Sequence, residues 1–274
     1  MGVNTKPKGG GRTRSEGGRV ADRRITDLAL FDAHHTDDHA VAAREGRCGV
    51  RALKRMLVVA AAAGALISAL AGSALATSSA VLPPAAKPLG WSLERMTGAL
   101  AVFTASGNNP AFYPDTPFQV LYVRDGAFQV QPLPPDGLRF TGSSTFTVRP
   151  GTKFFVPMAN ANDSPPFPVP FPDTHEEAIP YFFGDAQYGA RGWQISVDGK
   201  RKPIGSGYLA GPVTTPPLPD GGGTHMITLG AFLHPLRPGT HTVTVNGGFF
   251  GDALRDTYGF GFFVYEFTYT VIVA

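Results

Sequence analysis

The sequence predicts an all-β fold, an antiparallel β-sandwich or jelly roll, carried by the part of the chain after Ala76. Three observations predict it. Of the 30 Phe, Trp and Tyr residues, 29 follow Ala76, and so do 24 of the 25 prolines. Aromatic and β-branched runs broken by Pro and Gly read as short strands separated by turns. Helical stretches between these runs are nearly absent, and parallel sheets need such crossovers, so the strands are expected to pair antiparallel.

Taken in order, residues 1–49 are rich in Gly, Arg and Asp and lack sustained apolar periodicity. Burial there would not offset the entropy of ordering, so the segment is expected to be disordered. His34, His35 and His39 among Asp32, Asp37 and Asp38 fit a solvated polar tract better than a metal site. An alternative is that translation starts near Val50 and residues 1–49 are not made.

Residues 50–76 read as a signal peptide helix. Arg51, Lys54 and Arg55 supply a positive flank, Leu57 to Leu70 an apolar run, and Ala74-Leu75-Ala76 a small-residue cleavage pattern before Thr77. The rival is a membrane anchor, since the 21 residues from Met56 to Ala76 carry no charge and would span ~30 Å of hydrocarbon. Their Ala, Gly and Ser content makes insertion weakly favourable, and no charged stop-transfer flank follows. The expected location is therefore secreted or cell envelope, with membrane contact only through an uncleaved signal segment.

The formal net charge of +3 comes from the front of the chain. Residues 1–76 hold 12 Lys+Arg and 7 Asp+Glu, whereas residues 77–274 hold 12 and 14. The exported part thus has no excess positive charge to neutralise phosphates, which removes the electrostatic basis for nucleic-acid binding. Its 198 residues suit one domain that buries ~70% of the unfolded surface. The only cysteine, Cys48, precedes the signal. Disulfides, a thiolate nucleophile, Cys-ligated zinc and a lipobox are all excluded after it.

Residues 77–88 form a small-residue and proline linker, and 89–274 the β domain. Strands are expected at Leu100 to Ala105, Phe118 to Arg124, Ala127 to Gln131, Ser144 to Val148, Lys153 to Met158, Trp193 to Val197, His225 to Phe232, Thr240 to Asn246 and Phe262 to Val273. Leu89 to Thr97 has the pattern for two helical turns and Thr174 to Ala178 for one. Val197-Asp198-Gly199 is a type I′ hairpin signal, because both turn residues must accept positive φ. Within the last two strands, alternation separates His241, Val243 and Val245 from Thr242, Thr244 and Asn246. It likewise sets Phe263, Tyr265, Phe267, Tyr269, Val271 and Val273 on a core side, opposite Glu266, Thr268 and Thr270.

These segments carry a resemblance. Gly-Thr-x-Phe-Phe-x-Pro at Gly151 to Pro157, Val-Asp-Gly at Val197 to Gly199, Pro-Leu-x-Pro-Gly-x-His at Pro235 to His241 and Tyr-Thr-Val at Tyr269 to Val271 resemble a group of uncharacterised exported bacterial proteins. The similarity covers roughly Trp91 to Val273. Its motifs are turn and strand signals, so it implies a fold and assigns no activity.

Candidate site residues come from two patterns. Between Asn160 and Asp185 lies a polar cluster in which Asp163, Asp173 and Glu176 have the oxygen chemistry for Ca²⁺. Thr174-His175-Glu176-Glu177 also reads as a capping box, the stronger reading of that segment. The intervening prolines suit a polyproline II loop over a sheet edge. Among the aromatics, Trp193, Tyr181 and Tyr188 fall near loops and are the candidates for stacking on a sugar, against ordinary core packing.

Gly-x-Ser-x-Gly, His-Glu-x-x-His and P-loop motifs are absent from the sequence. No residue is assigned a catalytic role, and no cofactor is implied beyond Ca²⁺. The expected function is a non-catalytic envelope or extracellular binding module for an extracellular or cell-wall ligand. The alternative, a secreted glycan-active hydrolase, requires two carboxylates, or a His and a carboxylate, to meet in a cleft.

Overall fold

Residues 79–124, 127–165 and 170–274 are described by the computed structural model. The N-terminal segment, the signal or anchor reading and the first linker residues lie outside them. Among the described residues no helix is long and apolar enough to cross a membrane.

The chain is mostly β, arranged as two mixed sheets. Its strands are β1 (Phe118–Val120), β2 (Phe128–Leu133), β3 (Gly137–Val148), β4 (Lys153–Asn162), β5 (Ala190–Val197), β6 (Lys200–Pro203), β7 (Leu209–Thr214), β8 (His225–Leu233), β9 (Gly239–Phe249) and β10 (Phe262–Val273). Among the described residues three α-helices accompany them: α1 (Leu93–Ala105), α2 (His175–Phe183) and α3 (Ala253–Tyr258). The four-stranded sheet has the order β1-β4-β8-β7 and the six-stranded sheet β2-β3-β10-β9-β5-β6.

The sheets are not purely antiparallel, which corrects the sequence expectation. Strand β10 runs parallel to β3 from Phe262 opposite Gly137 to Val273 opposite Val148, and β1 runs parallel to β4. A dedicated crossover helix is needed only between consecutive parallel strands. Here the whole chain from β4 to β9 lies between β3 and β10 and serves as the connection.

Helix α1 is a second correction, because its C-terminal half occupies Leu100 to Ala105, expected as a strand. Ser92 starts the helix as N-cap, accepting a hydrogen bond from the Arg95 amide at 3.2 Å. Leu93, Met96, Leu100 and Phe103 then fall on one face and pack against Phe118, Val120, Phe155 and Phe232 of the four-stranded sheet. The opposite face of that sheet, with Phe154, Val156, Leu229 and Ala231, joins Val243, Val245, Tyr269 and Val271 of the larger sheet in one core. Strands covered on both faces have near-continuous apolar sequences, as β8 shows with eight successive buried residues after His225.

Other local signals hold. Asp198 and Gly199 have φ of 50° and 80° at the β5–β6 turn, as the hairpin signal requires. Thr174 and Glu177 form the capping box of α2, which runs to Phe183 rather than Ala178. β10 has the expected bounds and buries Phe263, Phe267, Tyr269, Val271 and Val273. Strands β6 and β7 and helix α3 were not anticipated, and β3 extends back to Gly137 through Gly142, whose missing side chain admits Val123.

Candidate functional site

The outer face of the six-stranded sheet follows from alternation. Since Phe267, Tyr269 and Val245 point inward, Glu266, Thr268 and Thr244 point outward. Register places Glu266 between Thr141 and Asn246, and Thr268 between Ser143 and Thr244. Neighbouring strands are ~4.8 Å apart, so hydroxyl, amide and carboxylate groups form a continuous polar carpet. Ser143, Thr145, Thr147 and Thr268 are exposed, while Thr141, Thr244, Asn246 and Glu266 are half-buried.

Two shallow hollows lie on this carpet. One of about 420 Å³ is lined by residues including Gln129, Ser143, Thr244 and Thr268. The other, about 450 Å³, is lined by Arg191, Gly247, Gly248, Phe250 and Val264 among others. Both include Asn246 and Glu266, so they form a single trough. Gly248 keeps part of its floor at backbone level. A Cβ there would lie 2.9 Å from Val264 Cγ1 and 2.9 Å from Phe250 Cε2.

Phe250 forms an aromatic wall at one end. It is 39% exposed and stacks on Phe262 with centroids 5.8 Å apart and planes 10° from parallel. The Arg191 guanidinium lies 5.9 Å from the Phe250 centroid and is held by Asp185. At the centre, Glu266 accepts a hydrogen bond from Arg139 at 2.7 Å. Such a half-exposed pair contributes at most ~1 kcal/mol to stability, but it orients the carboxylate. Among the described residues lining the trough, Glu266 is the only carboxylate and none is a histidine.

The sequence candidates lie elsewhere. Trp193, Tyr181 and Tyr188 are 3%, 5% and 3% exposed, which corrects the expectation that they offer ring faces to a sugar. Trp193 packs edge-on against Phe249 at 5.4 Å, and Tyr181 against Tyr188 at 5.3 Å. Burial pushes the Tyr181 phenol up to about 12. The exposed aromatic that lines the trough is Phe250, and its signal was the outward phase Thr242, Thr244, Asn246 continued by four residues.

Asp163, Asp173 and Glu176 are not brought together as a metal site. Among the described residues no group of three or more His, Cys, Asp or Glu could hold an ion. Asp163 Oδ1 accepts from the amides of Thr224 at 2.6 Å and His225 at 2.8 Å, while its Oδ2 lies 2.8 Å from His225 Nδ1. Burial would raise the Asp163 carboxyl, but these hydrogen bonds outweigh it and hold the group below the usual carboxylate value. Asp173 and Glu176 are exposed, and the Asp173 amide donates to Glu177 Oε2 at 3.0 Å. Next to Asp163, Asp220 accepts from Asn162 Nδ2 and Ser164 Oγ, both at 2.8 Å. This network fastens the loop before β8 to the end of β4.

A second histidine-carboxylate pair, His241 and Asp198, lies at the β5–β6 turn. His241 Nδ1 is 2.7 Å from Asp198 Oδ2 and its Nε2 is 2.8 Å from the Arg237 carbonyl oxygen. Both partners are acceptors, so only the doubly protonated ring donates to each. The Asp198 hydrogen bond raises the imidazole above its ordinary value against a smaller opposing effect of burial. In comparison with known proteins, the chain matches no family model, no curated protein and no solved structure.

Proposed function

We propose that this chain is an exported, non-catalytic binding module, a β-sandwich backed by α1, whose outer face takes an extended glycan of the cell wall or extracellular space. The single observation that carries this reading is the trough across β3, β10 and β9. Its hydroxyl and amide groups suit the many donors and acceptors of a polyhydroxylated ligand. Phe250 adds a flat apolar face at one end, suited to stacking on the apolar side of a sugar ring. Among the described lining residues one carboxylate, Glu266, and one guanidinium, Arg191, balance in charge, which favours a neutral glycan over a polyanion. Export rests on the Arg51 to Ala76 pattern.

The hydrolase alternative needs a second acid beside Glu266, and the described residues lining the trough supply none. The test is to screen the full chain on an array of neutral glycans and on chromogenic glycosides. Binding without turnover supports the module. Turnover that Glu266→Gln abolishes would replace it with the enzyme reading.

A further inference from the structure

A second cavity, of about 210 Å³, lies on the other side of β10. It exists because β1 stops at Val120 while its partner β4 continues to Asn162. After the Leu121 amide bonds to the Phe155 carbonyl, the chain crosses to the larger sheet, where the Arg124 amide donates to Ser144 Oγ. The edge of β4 from Pro157 to Asn160 therefore lines a space that a longer β1 would have filled. Pro157 has no N–H to offer a neighbouring strand, and the register of β4 shifts between Pro157 and Ala159.

Five of the twelve described lining residues are aromatic. Tyr122, Phe128, Tyr265, Phe267 and Tyr269 line the cavity together with Met158. Their orientations are set by neighbours outside it, such as Phe103 at 5.0 Å and 89° to Tyr122. The cavity is open to solvent beside Phe128, which is 47% exposed, and beside the exposed Asn160, so a small molecule can enter between the rings. Besides the three tyrosines, Thr104, Asn108 and Asn160 contribute the polar side chains of the lining. The Thr104 hydroxyl hydrogen is directed at the Leu100 and Ala101 carbonyls, at 3.1 and 3.2 Å, which leaves its lone pairs to accept. Asn108 makes only a stretched 3.5 Å bond to the Val123 carbonyl.

We propose that this cavity binds a neutral, single-ring aromatic molecule bearing a hydroxyl, a small phenol. An apolar cavity of about 150 Å³ accommodates benzene, and drug-sized ligands need about 300 Å³ or more, so the volume selects one substituted ring. Edge-to-face contact with the surrounding rings favours an aromatic over a saturated ring. None of the described lining residues is charged, and placing an ion among these rings would carry a desolvation cost. Thr104 is the acceptor for the phenolic hydrogen. The site does not rest on the glycan reading, because Thr104, Asn108, Tyr122 and Met158 line the cavity and not the trough, although Tyr265 and Phe267 border both.

The test is calorimetric titration of the full chain with para-cresol, cyclohexanol and para-hydroxybenzoate. Saturable binding of para-cresol is expected at about 1 mM or tighter, at least fivefold stronger than cyclohexanol, with no detectable binding of the benzoate. Ala159→Leu, which fills the cavity, should abolish binding. Thr104→Val, of equal size, should weaken it by about two- to tenfold and decides the matter if the first variant misfolds. Absence of saturation, equal affinity for cyclohexanol, or binding indifferent to Thr104→Val would overturn the assignment.

Discussion

Replacing Gly247 by Ala tests the packing that holds the trough floor in place. Gly247 faces the core, and a Cβ there would lie 2.7 Å from Trp193 Cγ and closer still to Cδ2 and Cε3. The indole has little room to retreat, since it is 3% exposed and contacts Phe249 at 5.4 Å and Tyr265 at 5.6 Å. Overpacking of this kind costs about 1–3 kcal/mol. The reduced entropy of the unfolded Ala chain offsets about 0.4–1 kcal/mol of that. A net loss of about 1–2 kcal/mol corresponds to a Tm lower by about 2–8 °C for a domain of this size. Thermal unfolding followed by tryptophan fluorescence measures it, with Gly205→Ala as control because nothing lies within 4 Å of a Cβ there. Equal Tm for the two variants would refute the argument that Trp193 rests directly on the Gly247 backbone.

Two further predictions concern local devices. The His241 contribution is fully present below the unfolded value of about 6.5 and is lost as pH rises through the raised folded value. Wild-type Tm should therefore fall relative to His241→Gln as pH rises above about 6.5, and parallel Tm curves there would exclude the brace. Thr174→Ala removes the capping box of α2 and should cost about 1 kcal/mol, a Tm drop of about 2–4 °C by calorimetry; an unchanged Tm would mean that the cap contributes nothing.

What the sequence revealed divides by range of interaction. The Asp198-Gly199 turn, the Thr174–Glu177 box and the alternation of β10 each depend on residues within a few positions, and all three could be read directly. Leu100 to Ala105 could not, because a six-residue apolar run suits a buried strand or a helix equally. Its helical state depends on the Ser92 cap and on packing against β7 and β8. The parallel register of β10 on β3 joins residues more than 120 positions apart, and no local pattern encodes it.

The site was partly readable. Trp193 shares its phase with Ile195 and Val197, so alternation already pointed it into the core, and only its nearness to a loop suggested exposure. The outward row of Thr242, Thr244 and Asn246 was visible beside Thr268 and Glu266 in the next strand. That these rows lie side by side, and that Gly248 and Phe250 complete a hollow with a ring at its end, required the fold.

The most direct test of the glycan-binding account is titration of the full chain with the strongest neutral oligosaccharide from the array, repeated with Asn246→Ala and Phe250→Ala. The account predicts that each variant keeps a Tm within about 2 °C of wild type and binds about three- to tenfold more weakly. Absence of any glycan ligand, or an affinity that neither substitution changes, would contradict it.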